Sequence, residues 1–403
     1  MLTVRLTSGA LRDRRSPGWR GSRPQQTAER HPEARPGVVQ GNGHLRFTRR
    51  PKLWTPKHVL VTRSAGERAH TREVLARVEA AGVTDITLLR SDRISGLGGE
   101  DERAAYARAK ATLAVVVSPP SARKLQPIAP SADWRLDLAR GCPAHCQYCY
   151  LAGSLSGPPI TRVYADLDDI LAGMDAYVGR GTVTSTRTAR AGEGTTYEAS
   201  CYTDPLGIEP VTGSLAAAIT HVGTHAFPGP VQLRATTKYG AVDGLLDLPH
   251  GGRTRIRASV NADSVAGRFE GGTDPVAVRL AGLGALARAG YPVGLTIAPI
   301  MPVEGWREQY TALLESAAAA LPADADLTVE CITHRFTPGS KEVLESWYPR
   351  TKLEMDPERR SRKFGKFGAV KYVYTAAEMR ELRTWFDIAL ADHLPAARSL
   401  YWT

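Results

Sequence analysis

Between Trp134 and about residue 340, strand-type segments alternate with helix-type segments, and this alternation constrains the fold more than any other feature of the sequence. β-Branched runs such as VQLRATT and TRIRASV alternate with longer segments of helical period such as DPVAVRLAGLGALARAG. Repeated βα units form a parallel sheet covered by helices, and right-handed crossovers curl such a sheet into a barrel. We count about six units over residues 134–340, which predicts an α/β fold with a partial (β/α)6 TIM-like barrel.

The segments that flank the barrel predict further units. Residues 51–120 contain the strand and helix patterns of a small N-terminal α/β domain, and residues 341–403 form a helical and basic C-terminal extension that we expect to contribute to DNA binding. Residues 1–50 carry eleven arginines against three acidic residues, +8 of the chain's net charge of +11, and show no hydrophobic period. We expect a disordered basic arm there, which either has no role or adds attraction to phosphates.

The composition restricts where the chain can work. No run approaches the roughly 18 apolar residues that span a bilayer, and the first residues lack the apolar core of a secretory signal. We therefore expect a cytoplasmic protein without a membrane partner, in a compartment that keeps thiols reduced. Clustered cysteines in that setting are more often ligands or catalysts than disulfide partners.

Three of the five cysteines crowd into the segment RGCPAHCQYCYL, residues 140–151. The spacing C-x3-C-x2-C lets Cys142, Cys146 and Cys149 converge on one soft centre. Three thiolates leave one iron of a four-iron cluster open to a small molecule, whereas a structural zinc ion needs a fourth ligand, for which His145 is a candidate. The spacing favours the cluster over zinc, and either over three free thiols, which would be exposed to oxidation.

Other residues with useful chemistry also fall at strand ends. Cys201, Lys238, Ser259 and His334 each lie at or just after the C-terminal end of a predicted strand. Barrels of this kind hold their active sites at that face, so we expect these residues near the cysteine loop. Cys331 lies inside an apolar strand pattern and is predicted to be a core cysteine.

The cysteine loop, in which an aromatic residue follows the third cysteine, resembles that of the radical S-adenosylmethionine (SAM) superfamily. In that superfamily three thiolates hold a [4Fe–4S] cluster, the open iron binds SAM, and an electron from the cluster cleaves SAM to give a 5′-deoxyadenosyl radical. The resemblance implies that Cys142, Cys146 and Cys149 are the cluster ligands. It implies two cofactors, the cluster and SAM, and a one-electron reductase of flavodoxin or ferredoxin type as a partner.

From about Lys57 to its end the sequence is similar to the spore photoproduct lyase family. The similar segments are GCPAHCQYCYL, SCYTDPLGIEP, ECITHRFTPGSKEVLESWYPRTKLEMD and KFGKFGAVKYVY. The resemblance implies a DNA-repair lyase that reverses spore photoproduct, a thymine dimer formed by ultraviolet light, to two thymines. Its partner would be ultraviolet-damaged DNA, and we expect a monomer.

The resemblance also implies roles for individual residues. Cys201 would return a hydrogen atom to the substrate radical, because a thiol S–H bond is weak enough to give one. Tyr148 and Tyr150 would relay the radical back toward SAM, which Thr203, Lys238 and Ser259 would contact. Without the family, Cys201 would be interpreted as a small buried side chain, the tyrosines as loop packing and Lys238 as a solvated lysine.

A basic and aromatic segment, ERRSRKFGKFGAVKYVY (358–374), is the predicted DNA contact. Cations suit phosphates, and aromatic rings stack on bases or beside an extruded lesion. The residues predicted to touch the substrate are Arg362, Lys363, Lys366 and Phe367. A solvated basic turn is the plainer alternative.

The sequence departs from the family at two of these sites. Lys366 and Phe367 stand where the family has Arg-Tyr, and the lost hydroxyl removes one hydrogen bond or one partner in the radical relay. Tyr202 follows Cys201 where a small polar residue is typical. The departures indicate either a shifted substrate or local drift.

Two other functions remain compatible with the sequence. One is a different radical SAM reaction on nucleic acid or a nucleotide, with Cys201 as the hydrogen donor, which predicts SAM cleavage that the dimer does not accelerate. The other is a zinc-stabilised nucleic-acid-binding protein without catalysis, which iron and sulfide in the purified protein would exclude.

Overall fold

The computed structural model describes residues 53–95, 97–153, 157–364 and 370–403, so the predicted basic arm at 1–50 lies outside the described residues. In chain order the strands are β1 (His58–Val61), β2 (Ile86–Leu88), β3 (Thr112–Val116), β4 (Gln126–Ile128), β5 (Ala132–Leu136), β6 (Ala139–Arg140), β7 (His145–Cys146), β8 (Thr161–Tyr164), β9 (Thr195–Ala199), β10 (Val231–Thr237), β11 (Thr254–Val260), β12 (Glu270–Gly271), β13 (Val293–Ile300), β14 (Leu327–Thr333), β15 (Ser361–Phe364), β16 (Val370–Val373) and β17 (Arg398–Trp402). The α-helices are α1 (Ala69–Ala80), α2 (Glu102–Lys110), α3 (Pro120–Arg123), α4 (Leu167–Ala172), α5 (Val183–Thr186), α6 (Pro205–Thr212), α7 (Ser214–Thr224), α8 (Asp263–Phe269), α9 (Val276–Arg288), α10 (Trp306–Ala320), α11 (Pro338–Trp347) and α12 (Ala376–His393).

The larger sheet is a curled half-barrel with the strand order β17-β14-β13-β11-β10-β9-β5-β4. All neighbours from β5 to β17 pair in parallel, and β4 alone in this sheet pairs antiparallel. The six predicted βα strands are β5, β9, β10, β11, β13 and β14, so the partial (β/α)6 barrel is confirmed. Strands β4 and β17 are the edge strands of the sheet, and both are short, as edge strands often are.

Alternation along the central strands sorts their side chains into two faces. In β10, Leu233 and Ala235 belong to the main hydrophobic core, which also holds apolar residues of α7, α9 and α10. Arg234 lies between them and is fully buried in the barrel interior. Strand β14 repeats the pattern, because Val329 and Cys331 join the core while Glu330 faces the interior. The prediction that Cys331 is a core residue is therefore confirmed.

The barrel interior holds a network of buried ion pairs. Glu330 accepts from Arg257 and from Arg234, each at 2.5 Å, and Arg257 also pairs with Glu198. Arg234 and Arg190 in turn share Glu193 at 3.1 and 2.7 Å. Three guanidinium groups thus meet three carboxylates, and this neutrality limits the desolvation cost of burying them.

The smaller sheet has the order β2-β1-β3-β8-β6 and combines two parts of the chain. Strands β1, β2 and β3 belong to the predicted N-terminal domain, while β8 follows the cysteine loop and pairs in parallel with β3. Val163 of β8 packs in the same core as Val59 and Val115. The cysteine loop therefore connects β6 and β8, two neighbouring strands of this smaller sheet. No helix among the described ranges is both long and apolar enough to span a membrane.

Candidate active site

A cavity of about 430 Å³ opens at the C-terminal ends of the parallel strands of the half-barrel. It is lined by the three cysteines of the loop and by residues at the ends of successive strands, which include Cys201, Thr203, Lys238, Ser259 and His334. The sequence places these residues far apart, and the parallel strands bring them to one mouth because all of their C-terminal ends meet there. The predicted clustering at this face is therefore present in the structure.

The cysteine loop is held by contacts that leave little freedom to its backbone. Gly141 has a φ of +85°, and a Cβ there would lie 2.0 Å from the carbonyl oxygen of Ile160, so only glycine fits before the first cysteine. Strand β7 pairs antiparallel with β12, and Lys110 of α2 donates to the carbonyl oxygens of Cys142 and Ala144. The backbone that carries the three thiols is therefore fixed in position.

The three thiols suit a cluster better than a single ion. Cys142, Cys146 and Cys149 are free cysteines that all line the cavity. Within the described part of the chain, no three His, Cys, Asp or Glu side chains gather closely enough to hold one metal ion. Thiolates that each bind a different iron of a cluster can remain further apart. The donor set of three thiols on this wall fits a cluster with one open iron, because each thiolate then needs to reach only its own iron.

Lys238 lines the cavity and belongs to a set of hydrogen-bonded polar side chains. Its Nζ lies 2.9 Å from Ser259 Oγ and 3.0 Å from Glu270 Oε1. The Tyr148 hydroxyl donates to the same Glu270 oxygen, and Arg279 Nη2 lies 2.6 Å from the other. Burial opposes ionisation of Glu270, but Lys238 and Arg279 hold its pKa below the usual range, so it stays an anion.

Thr203 supplies an observation that points to a ligand. Its Oγ1 is buried and has no hydrogen-bond partner in the described residues, and the residue lines the cavity beside Cys201. A buried hydroxyl without a partner is costly unless a ligand or water satisfies it. Together with the ammonium of Lys238 and the hydroxyl of Ser259, it forms a set of donors that fits the amino-acid end of the predicted SAM.

Cys201 lies just beyond the end of β9, in a strained turn. The chain leaves the sheet at Ser200, which has a φ of +52°, so Cys201 lies just after the strand end, as the sequence predicts. Burial raises the pKa of the Cys201 thiol well above its usual value, and the carboxylates of Asp137 and Glu198 add to the effect. The sulfur therefore keeps its proton at neutral pH, as a hydrogen-atom donor must.

The two loop tyrosines point to different parts of the site. Tyr150 donates its hydroxyl to the carbonyl oxygen of Cys201, while Tyr148 reaches Glu270 beside Lys238. The Nζ of Lys238 lies 5.5 Å from the centre of the Tyr148 ring. Tyr150 thus contacts Cys201, the predicted hydrogen donor. Tyr148 contacts Glu270, which lies beside Lys238 of the predicted SAM site.

Tyr202, a departure from the family, does not line the cavity. Its ring lies between the guanidinium groups of Arg135 and Arg140, at 4.6 and 4.8 Å from the ring centre. Its carbonyl oxygen accepts from the amide of Gly141 at 2.8 Å, which ties the Cys201 turn to the cysteine loop. The Tyr202 ring therefore packs against Arg135 and Arg140 and does not form part of the cavity wall.

The predicted DNA segment divides into a buried part and an exposed part. Arg360 is 8% exposed, donates to Glu354 and covers the Tyr374 ring at 3.9 Å, so it supports the fold and is not a free cation. Arg362 and Lys363 lie on the exposed strand β15, which pairs with β16 in a hairpin. The predicted contacts Lys366 and Phe367 lie outside the described residues.

Several residues of the site were not predicted. Asp204 accepts from the Thr237 hydroxyl and the Lys238 amide, both at 2.7 Å, and caps α6, a role that the sequence Asp-Pro-Leu-Gly signals. Arg335 lines the cavity mouth. His334, which the sequence predicts at this face, has a neutral ring, because burial and Arg360 lower its pKa to about 3. Glu270 gave no signal, because its partners lie on other elements.

Comparison with known proteins identifies close relatives over most of the chain. A family model described as "Spore photoproduct lyase" matches residues 54–403. Spore photoproduct lyase from Bacillus subtilis (strain 168) is 37% identical over 352 residues, 87% of this chain and 99% of the relative. The protein of the same name from Geobacillus sp. (strain Y412MC61) is 38% identical over 354 residues, 87% of this chain and 100% of the relative. A solved structure of a spore photoproduct lyase mutant with bound AdoMet and dinucleoside spore photoproduct has a TM-score of 0.79 and 37% identity, covering 87% of this chain and 100% of that one.

Proposed function

The chain belongs to the spore photoproduct lyase family, and we propose that it is a radical SAM lyase that restores two thymines from spore photoproduct in ultraviolet-damaged DNA. One observation carries the proposal: three free thiols, a polar group around Lys238 and the Cys201 thiol all line one cavity. That combination suits a reaction in which a cofactor starts a radical and a nearby thiol ends it.

The residues of the cavity would hold two cofactors. Cys142, Cys146 and Cys149 would bind a [4Fe–4S] cluster, and Lys238, Ser259 and Thr203 would bind SAM through its amino-acid end. The chemistry that the bound cofactors supply is the removal of one hydrogen atom from the lesion, after which the methylene bridge breaks. Lys238 would meet the SAM carboxylate as a point charge, with Glu270 fixing its direction.

Cys201 would end the reaction on the substrate. Its S–H bond breaks homolytically, the hydrogen atom joins the carbon radical of the released thymine, and the thiyl radical remains on sulfur. Because burial keeps the thiol protonated, the hydrogen atom is available at neutral pH. Tyr150, whose hydroxyl is hydrogen-bonded to the carbonyl oxygen of Cys201, would return a hydrogen atom from that hydroxyl to the thiyl radical. Tyr148, beside Lys238, would be the next member toward the cofactor.

The hairpin formed by β15 and β16 would position the DNA. Arg362 and Lys363 are exposed there, and Phe364 beside them is 69% exposed, a large apolar ring with little protein packing. Exposed cations next to an exposed ring suit a damaged duplex, whose phosphates and unstacked base need both. Lys366 and Phe367, which follow in the sequence, would extend this contact.

The test is an anaerobic assay with reconstituted protein, dithionite, SAM and a dinucleoside spore photoproduct, in which thymine and 5′-deoxyadenosine are quantified by chromatography. The wild type should form thymine. Cys201→Ala should still form 5′-deoxyadenosine but lose most of its thymine, because the product radical has no hydrogen donor.

Cys331→Ala is the matched control, since Cys331 is 1% exposed in the core and does not line the cavity. It should form thymine at the wild-type ratio to 5′-deoxyadenosine. Equal thymine yields from Cys201→Ala and Cys331→Ala would exclude Cys201 as the hydrogen donor. If the wild type forms 5′-deoxyadenosine but no thymine, spore photoproduct is excluded as the substrate.

A further inference from the structure

A second concavity lies close to the cysteine loop, on the surface away from the cavity-lining thiols. This cleft of about 290 Å³ lies between α2 and the end of α11, and we call it the α2–α11 cleft; the residues used below are Arg103, Tyr106, Gln147, Trp347, Tyr348 and Arg350. Gln147 belongs to the cysteine loop, between Cys146 and Cys149, and it lines the cleft but not the cavity. The cysteines line the cavity but not the cleft. The loop therefore separates the two concavities.

A connected set of aromatic side chains leads from the cleft to the loop. Tyr106 packs on Trp347 with ring centres 5.1 Å apart, and its hydroxyl lies 2.6 Å from the Tyr348 hydroxyl. The same hydroxyl lies 3.0 Å from Nδ1 of His145, the residue before Cys146. One turn further along α2, Lys110 binds the carbonyl oxygen of Cys142 at 2.5 Å. The floor of the cleft is thus in hydrogen-bonded contact with the segment that carries the thiols.

The rim of the cleft carries positive charge. Arg103 and Arg350 line the cleft and are exposed, so the lining holds two guanidinium groups. Among the described residues that line the cleft, Glu102 carries the one carboxylate, to which the Ser346 hydroxyl donates, so the lining has a net charge of about +1. Tryptophan, tyrosine and arginine are the residues that protein interfaces favour, and an excess of cations attracts an acidic partner.

We propose that the α2–α11 cleft is the docking site of the one-electron carrier, an acidic protein of flavodoxin or ferredoxin type. This inference rests on the proposed function, because only a cluster on the other side of the loop needs an electron. The carrier is oxidised by one electron and the cluster is reduced by one, with no atom transferred. SAM and the lesion would fill the cavity, so the carrier would reach the loop from its other side. A small electrostatic contact is typical of such transient redox encounters.

The test compares two electron sources for the same protein. The variant Arg103→Glu/Arg350→Glu reverses the charge of the rim, and Arg72→Glu/Arg90→Glu makes the same change in net charge at exposed residues that line neither concavity. Each is assayed for 5′-deoxyadenosine with dithionite and with reduced bacterial flavodoxin. Binding of oxidised flavodoxin is measured by titration calorimetry at low and high salt.

With dithionite, both variants should match the wild type, because a small reductant needs no docking site. With flavodoxin, the rim variant should be slower by on the order of tenfold or more, and the wild-type advantage should shrink in high salt. Flavodoxin should bind the rim variant more weakly by a similar factor and bind the control variant as it binds the wild type.

Equal flavodoxin rates and affinities in the two variants would overturn the proposal. So would a rim variant that keeps its flavodoxin affinity but binds duplex DNA more weakly, since the cleft would then face nucleic acid. If the wild type forms 5′-deoxyadenosine but no thymine, the proposed substrate fails while the docking site is still tested. If it forms neither, the function fails and the calorimetric comparison alone decides the docking site.

Discussion

Replacing Glu330 by glutamine should destabilise the protein strongly, although the two side chains have almost the same shape. Glu330 is fully buried and accepts from Arg257 and Arg234, and from the Tyr401 hydroxyl at 3.0 Å. The amide removes one negative charge and leaves three buried guanidinium groups with two carboxylates. Removing one partner of a buried ion pair costs about 3–5 kcal/mol, because the remaining charge is left uncompensated.

This cost converts to a measurable shift in melting temperature. A folded unit of about 350 residues has an unfolding entropy of roughly 0.7 kcal/mol per kelvin near 60 °C, so Glu330→Gln should lower Tm by about 4–7 °C. Circular dichroism at a fixed scan rate and neutral pH measures the shift. Glu315→Gln is the control, because Glu315 is exposed on α10 and its substitution should change stability by less than about 0.5 kcal/mol.

A double-mutant cycle tests whether charge is the cause. Arg234→Met should also destabilise, because it leaves the network with an excess of negative charge. The double variant Arg234→Met/Glu330→Gln restores neutrality, since Arg257 keeps Glu198 and Arg190 keeps Glu193. It should be more stable than the sum of the single changes predicts, by about 2 kcal/mol. Strictly additive losses would refute the argument that the charges are coupled, as would a Glu330→Gln protein that melts with the wild type.

Acid should reduce the difference between the wild type and Glu330→Gln. Burial alone would raise the pKa of Glu330, but Arg257 and Arg234 hold it below its usual range. A carboxyl whose pKa is lower in the folded state stabilises the protein fully above its unfolded pKa, near 4.3, and loses that contribution as the pH falls through the folded value. The Tm difference should therefore be constant above about pH 5 and shrink at lower pH. A difference that grows in acid would contradict this sign.

Two further predictions concern the cofactors. Gly141→Ala should lower iron and sulfide per reconstituted protein, because a Cβ would lie 2.0 Å from a backbone oxygen, whereas Gly82→Ala, which has the same sign of φ and open space around it, should not; equal iron contents would exclude the clash as a constraint. Lys238→Met should weaken SAM binding about 10- to 150-fold in equilibrium dialysis, since a charge-assisted hydrogen bond contributes about 1.5–3 kcal/mol. The exposed Lys352→Met should bind SAM as the wild type does, and an unchanged Kd in Lys238→Met would remove Lys238 from the cofactor site.

The sequence predicts the barrel because its period is local. Each strand and helix of the half-barrel is encoded within about ten to fifteen residues, and the crossover rule then orders the strands. The position of Lys238 and Ser259 at one mouth follows from the same logic, because parallel strands end at one face. The small sheet does not follow from it, since β8 joins β3 across the cysteine loop by a pairing that no local pattern encodes.

The charged interior of the barrel leaves a pattern in the sequence of its strands. Strands β10 and β11 read VQLRATT and TRIRASV, in which Arg234 lies between Leu233 and Ala235 and Arg257 lies between Ile256 and Ala258. A parallel strand covered by helices is usually apolar on both faces, so alternating arginines require buried carboxylates on neighbouring strands. Glu198 and Glu330 meet that requirement from β9 and β14. Which carboxylate pairs with which arginine depends on register, which only the folded sheet defines.

The cysteine spacing limits what the residues between the ligands can do. Ala144 and Tyr148 of this loop line the cavity together with the three thiols, whereas Gln147 turns to the α2–α11 cleft. Its amide is held from both sides, because Nε2 donates to the carbonyl oxygen of Arg268 and Oε1 accepts from the Thr351 hydroxyl at 2.6 Å. Contacts of this kind fix the loop backbone from outside and leave the thiols free to bind the proposed cluster. A segment with contacts on both faces tolerates few substitutions. We therefore expect the residues of α2 and α11 that contact this loop to influence cluster binding, although none of them lines the cavity.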